Sequence, residues 1–248
     1  MASSWARTGP RPAIPRRTTI AASGRCGGYG LQFFSIQQGR GGSFAPDPAV
    51  RKAWLATFTK RAELARRLGA ECIGLWPGGG LGAQTIDTAI DHCAASFREA
   101  ARIAEAKGLL TSFEIEPVFV FNTEDHLKRI HATANHPNLK IMFDVSHYDL
   151  MNRSTGRPHE MLARVGVEKI GYVHFTDTDG TLRDGGTSKH LAAGDGHVDI
   201  PASLRTLREG GFHGWLMVDA WEIPDPYDAC ARAMQAFRAA GNPQVPEK

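Results

Sequence analysis

Residues 170–200 read IGYVHFTDTDGTLRDGGTSKHLAAGDGHVDI, and the fold turns on them. The stretch opens as an apolar run ending in His174 and crosses a polar, glycine-rich loop to Gly194-Asp195-Gly196-His197. It then reaches Asp199-Ile200-Pro201, which opens a helix. A buried strand that ends in histidine and feeds a long loop is how a parallel α/β fold delivers a ligand-binding side chain to the carboxyl ends of its strands.

The same unit recurs on both sides. Apolar runs predict strands over 29–37, 71–76, 109–116, 139–145, 169–176 and 215–220. Between them, period-3.6 patterns predict helices over 49–68, 86–107, 123–134, 160–165 and 201–209. A last helix over 226–240 is capped by Asp225 and stopped by Gly241. Val50, Trp54, Phe58, Ala62 and Ala65 form the inward stripe of the first helix; Ile86, Ile90, Cys93, Phe97 and Ile103 form that of the second. The strands are short and rich in β-branched and aromatic residues, which suits burial on both faces. Strand-helix alternation means a parallel sheet with right-handed crossovers, here of six units. A closed barrel and an open doubly wound sheet both fit that count. GxGxxG and Walker loops are absent, so nucleotide binding by an open sheet has no support.

The chain of 248 residues is 42% apolar, enough for one large core. No apolar run approaches the ~20 residues that span a bilayer. The net charge of +3 is uneven: residues 1–46 hold six Arg and no acid, leaving 23 basic against 26 acidic groups in the remainder. A mildly acidic body argues against a nucleic-acid surface. Residues 1–28, dominated by Pro, Arg, Ser and Gly, read as a disordered basic tail, with an organelle transit peptide as second choice; residues 29–248 form the folded domain. There is no secretory apolar segment, and Cys26, Cys72, Cys93 and Cys230 form no disulfide framework, which points to a reducing, cytoplasmic setting. Cys72 and Cys93 fall in apolar patterns and read as core.

Four strands end in a potential metal ligand: Glu114 and Glu116 in FEIEP, Asp144 in MFDVSH with His147 three residues on, His174 in VHFTD, and Asp219 in WLMVDAW. Adjacent parallel strands bring such side chains to one rim. Each has an ordinary alternative: Asp144 and Asp219 could cap turns, Glu114 could pair with a neighbouring cation, and His147 could be a solvated loop residue. Charges at the ends of four consecutive apolar strands are costly unless paired or metal-bound. An oxygen-rich set of this kind favours Mn²⁺ or Mg²⁺, with Co²⁺ or Zn²⁺ as alternatives.

IEPVFVFNT, FDVSH, YVHFTD, GDGHVDIP and FHGWLMVD, in that order and spacing, resemble the sugar-phosphate isomerase/epimerase superfamily with its xylose isomerase-like TIM barrel. Ketose 3-epimerases and inosose dehydratases are its nearest members in style, and the resemblance covers residues 29–240. It implies one divalent ion held by Glu116, Asp144, His174 and Asp219, the last standing where the family has Glu. It implies a substrate-binding role for His147 and, loosely, for Arg183, while Asn122 replaces a second Glu found in some ketose epimerases. The implied chemistry is proton transfer beside a carbonyl through a metal-stabilised enediolate, with Glu116 and Asp219 as the proton-transfer groups. The substrate would be a small sugar, sugar phosphate or polyol. Asp219, one methylene short, leaves isomerisation or dehydration open beside epimerisation.

The family barrel has eight units, and the two not found are the first two. The expectation is a barrel incomplete at its amino terminus, either truncated or begun in an abnormal frame, whose exposed strand edges favour pairing into a homo-oligomer. Two other functions compete. Abasic-site endonucleases of the superfamily use three zinc ions and more histidines; here no His precedes His92, and Ser188 stands where a carboxylate would partner His190. A decayed, non-catalytic barrel is the third reading.

Overall fold

In a computed structural model of the protein, residues 31–39, 41–184 and 186–241 are described. The chain divides into two compact units. One holds the described residues through Ile115 together with Phe119–Met142; the other holds Glu116–Val118 and the described residues from Phe143 onward. The tail expected over 1–28 lies outside the described residues.

The first unit carries strands β1 (Ser35–Gln38), β2 (Cys72–Leu75) and β3 (Leu110–Phe113), and most of β4 (Leu139–Asp144). They pair in parallel and in chain order, with Ser35 opposite Cys72, Cys72 opposite Leu110, and Thr111 opposite Leu139. β2 is buried along its length, as a strand covered on both faces must be. Helix α1 (Pro48–Leu68) starts where the Asp47 side chain accepts from Ala49 N and Pro48 fixes the first turn. It ends at Gly69, whose φ of +75° a residue with a Cβ would resist. Trp54, Phe58, Ala62 and Ala65 are buried as the pattern predicts, whereas Val50, on the first turn, is exposed. Helix α2 (Ile86–Glu105) buries Ile90, Cys93 and Phe97, and leaves Ile86 and Ile103 half-buried. The Phe97 ring packs 5.4 Å from Phe113 and 5.9 Å from Trp54, joining both helices to β3 in one core. Helix α3 (Glu124–Ala134) is capped by Thr123 and closed by Asn135 in the left-handed region.

In the second unit β5 (Ile170–Phe175) pairs in parallel with β6 (Leu216–Val218), setting His174 opposite Met217. Helices α4 (Val145–Met151), α5 (Pro158–Val165), α6 (Ile200–Glu209) and α7 (Pro226–Ala239) complete it. Asp144, Asp199 and Asp225 cap α4, α6 and α7. α4 was not expected; it begins at the residue after β4, with no loop to announce it. β6 is shorter than its apolar run and only half-buried, with Met217 exposed, an exception to burial on both faces. Six strand-helix units are present among the described residues, in agreement with the sequence count. None of the described helices is long and apolar enough to cross a membrane.

Candidate metal centre

The cap of α4 decides how Asp144 is presented. Its Oδ1 accepts from Ser146 N and His147 N, both at 3.0 Å, and from Ser146 Oγ at 2.8 Å. One carboxylate oxygen is thus spent on orphan donors of the helix N-terminus. The other, Oδ2, is buried without a hydrogen-bond partner and lies 3.5 Å from His174 Nδ1. Asp219 is divided in the same way: Oδ1 accepts from Trp221 N at 3.0 Å, and Oδ2 lies 3.5 Å from the same His174 Nδ1. Capping therefore occupies one oxygen of each Asp and leaves the other facing His174.

Two histidines flank this arrangement. His147, on α4, is buried rather than solvated; its Nδ1 sits 2.6 Å from Ser188 Oγ and 3.7 Å from Asp144 Oδ1. Ser188 also meets Ser146 Oγ at 2.8 Å, so this hydroxyl fixes the imidazole where a carboxylate is missing. His190 Nδ1 is 3.6 Å from Asp219 Oδ2, and neither of its buried ring nitrogens has a hydrogen-bond partner. Ligand atoms of Asp144, His147 and His190 all lie within 4.8 Å of one another. Burial alone would raise the Asp144 carboxyl, but the neighbouring imidazoles of His147, His190 and His174 outweigh it and hold the group well below the usual carboxylate range.

Each His174–Asp pair fits two donors on one cation. Ligand atoms at 2.0–2.2 Å from one tetrahedral ion lie about 3.3–3.6 Å apart. The spacings of 3.5 Å between His174 Nδ1 and each Asp Oδ2 match that edge and exceed the ~2.7–2.9 Å of a charge-assisted hydrogen bond.

The glycine-rich loop that carries Ser188 and His190 is held by a buried carboxylate. Asp177 Oδ1 accepts from Thr178 N and Val198 N, and Oδ2 from Gly194 N and Gly196 N, at 2.8–3.1 Å. A Cβ at Gly196 would stand 2.2 Å from Asp177 Oδ1, so the close approach requires glycine there. Arg232 on α7 fixes the same loop from outside, bonding Ala193 O and both oxygens of Asp195. His197 Nε2 meets the buried Asp149 of α4 at 2.7 Å, tying the loop to the helix that bears His147.

Of the residues expected from the sequence, Asp144, His174 and Asp219 are brought together, with His147 beside Asp144. Glu116 lies past the end of β3, half-buried, in the same compact unit as those four. Glu114, two residues earlier, is buried and accepts from Gln37 Nε2 at 2.7 Å. Arg183 Nη1 makes an ion pair with Glu222 at 2.5 Å. His190 was not expected in the site. Its signal was the burial implied by the apolar Leu191-Ala192-Ala193 that follows it, which places a histidine where solvent cannot satisfy it.

Residues 8–240 match the family of xylose isomerase-like TIM barrels, and the chain belongs to that family. It is 30% identical over 139 residues to an inosose isomerase of Bacillus licheniformis, across 54% of this chain and 47% of that one. It is 24% identical to an inosose dehydratase of Yersinia enterocolitica, across 61% of this chain and 55% of the relative. The chain thus spans about half the length of these two relatives. Among solved structures it is similar to a D-tagatose 3-epimerase-like protein (TM-score 0.75, 21% identity, 89% of this chain and 82% of the other). It is also similar to the IOLI protein with a bound zinc atom (TM-score 0.67, 21% identity, 89% and 79%). At such identities the structural likenesses speak for the fold.

Proposed function

We propose that this chain is a divalent-metal-dependent isomerase or epimerase of small sugars, sugar phosphates or polyols, acting by proton transfer beside a carbonyl. The observation that supports it is the convergence of Asp144 Oδ2 and Asp219 Oδ2 on His174 Nδ1 in a largely buried setting. In this reading Asp144, His174, Asp219 and a carboxylate from the end of β3, assigned by motif to Glu116, hold one divalent cation. When bound, the cation supplies a Lewis acid that stabilises negative charge developing on substrate oxygens. Glu116 removes the proton from the carbon next to the carbonyl, the electron pair moves to the carbonyl oxygen, and an enediolate results. Return of the proton to the former carbonyl carbon, with the hydroxyl proton passing from the neighbouring oxygen to the former carbonyl oxygen, gives the isomer; return to the original carbon on its opposite face by Asp219 gives the epimer. His147, held by Ser188, donates to a substrate hydroxyl. Arg183 meets the far end of a substrate by exchanging Glu222 for a substrate oxygen.

Asp219 favours a second reading. Its Oδ1 is held by Trp221 N and its Oδ2 is 3.5–3.6 Å from two imidazoles, which leaves it little reach toward a substrate carbon. One-sided proton transfer then leads to isomerisation, or to dehydration as in the inosose dehydratase relative. The test is a panel of ketoses, inososes and polyols with Mn²⁺, Mg²⁺, Co²⁺ and Zn²⁺ in deuterated water. Exchange of the proton beside the carbonyl with solvent supports the reading, and product analysis separates isomer, epimer and dehydrated product. No exchange with any metal and any substrate class contradicts it.

A further inference from the structure

We infer that His190 is an additional ligand of the same cation, which makes the centre richer in nitrogen and selective for zinc or cobalt over magnesium or manganese. The inference rests on the metal-dependent reading above and adds to it a ligand and a metal preference.

Three observations carry it. His190 is buried, and neither ring nitrogen has a hydrogen-bond partner, an expensive state for an imidazole held in place by its surroundings. Its Nδ1 lies 3.6 Å from Asp219 Oδ2, within the spacing of two donors on one ion and beyond a good hydrogen bond. A ring nitrogen of His190 also falls within 4.8 Å of ligand atoms of both Asp144 and His147. Asp144 Oδ2, His174 Nδ1, Asp219 Oδ2 and His190 Nδ1 thus form a chain of donors, each 3.5–3.6 Å from the next.

The loop supports the placement. Ser188, two residues before His190, is bonded to both Ser146 and His147. Leu191, the next residue, exchanges two 2.9 Å backbone bonds with Asp177. His190 is therefore fixed on both sides by bonds that do not involve its ring, as a preorganised ligand requires.

Ligand chemistry sets the consequence. Carboxylates alone suit Mg²⁺ and Mn²⁺, while a second imidazole moves a site toward the borderline ions Zn²⁺ and Co²⁺. Magnesium, which keeps most of its water and dehydrates reluctantly, gains least from an imidazole.

The experiment is metal titration of the stripped full chain by calorimetry with each of the four ions, for the wild type, His190→Ala and Asp144→Asn. It is accompanied by the visible spectrum of the Co²⁺ form and a melting curve for each variant. Loss of an outer-sphere partner alone costs about 10–100-fold in metal affinity, so loss of this ligand should weaken Zn²⁺ and Co²⁺ by at least about 100-fold. Mg²⁺ and Mn²⁺ binding should change by less than about threefold, and the Co²⁺ bands should shift. His190→Asn, nearer in size, repeats the test if the alanine variant melts early. Wild-type preference for Mg²⁺ or Mn²⁺, or an equal effect of His190→Ala on all four ions, overturns the inference. If Asp144→Asn still abolishes binding in that case, the metal-dependent reading stands without His190. If the wild type binds none of the four ions, both fall.

Discussion

Asp144 and Asp219 face the same nitrogen: each places its Oδ2 3.5 Å from His174 Nδ1 while its Oδ1 holds a backbone N–H of the segment that follows. Two turns of backbone therefore aim two carboxylates. This predicts different outcomes for two substitutions at Asp144. Asp144→Asn can keep the cap through its carbonyl oxygen and should be the more stable of the two variants while losing the ion. Asp144→Ala should lose the cap as well and unfold about 1 kcal/mol or more earlier in urea. Equal stability of the two variants would contradict the division of labour.

Asp219→Glu restores the side-chain length that the family resemblance implies. If reach limits proton return, this variant should raise epimer formation relative to isomer formation at least severalfold, as read by product ratios. An unchanged or lower epimer fraction would mean that length is not what restrains Asp219.

Ser188 is a positioning residue for His147. Ser188→Ala leaves the buried Nδ1 of His147 without its 2.6 Å partner, a loss of about 1–3 kcal/mol. Because His147 is read as binding a substrate hydroxyl in ground and transition states alike, KM should rise with kcat little changed. A fall in kcat with constant KM would instead place His147 in the proton-transfer step.

Asp177→Asn sets an amide NH₂ against backbone N–H groups that now point at a carboxylate oxygen. It should destabilise the second unit by about 2 kcal/mol or more and loosen the loop. Amide hydrogen exchange at Gly194, Gly196 and Val198 should rise with it; unchanged protection at all three would argue against Asp177 as the organiser of the loop.

The Lys189 ammonium, then the Thr181 hydroxyl, hold the Asp179 carboxyl down at about 2, across the two arms of the same loop. A folded-state value below the ordinary 3.8 means the contribution is complete above about pH 4 and is lost as pH falls toward 2. The pair is partly exposed, so its worth is under about 1 kcal/mol. Acid unfolding of Asp179→Asn should therefore differ from wild type above pH 4 and converge with it near pH 2; a constant offset across that range would contradict the pairing.

The fold was legible because its signals are local. Asp225-Pro226 announces a helix start, Gly69 and Gly241 helix ends, and runs such as CIGL read as buried strands. α4 has no start signal in the sequence because Asp144 serves at once as the last strand residue and the helix cap, leaving no turn residues between. The strand expected over 29–37 pairs only from Ser35, after an exposed Leu31, since apolar composition does not fix where pairing begins. Within the site, strand-end carboxylates could be read from sequence because charge after an apolar run is conspicuous. Ser188 reads in the sequence as a missing carboxylate, and nothing local marks His190 as its neighbour in the site. Their places depend on how a long glycine-rich loop folds back through Asp177, a tertiary matter that no local period encodes.

The proposed chemistry requires a divalent cation held by Asp144, His174 and Asp219. The direct measurement is the metal content of the purified full chain by mass spectrometry after equilibration with a divalent ion and removal of excess, beside Asp144→Asn and His174→Ala. About one ion per chain is expected in the wild type and almost none in either variant, with all three folded. No bound ion in the wild type, or the same content in all three, would contradict it.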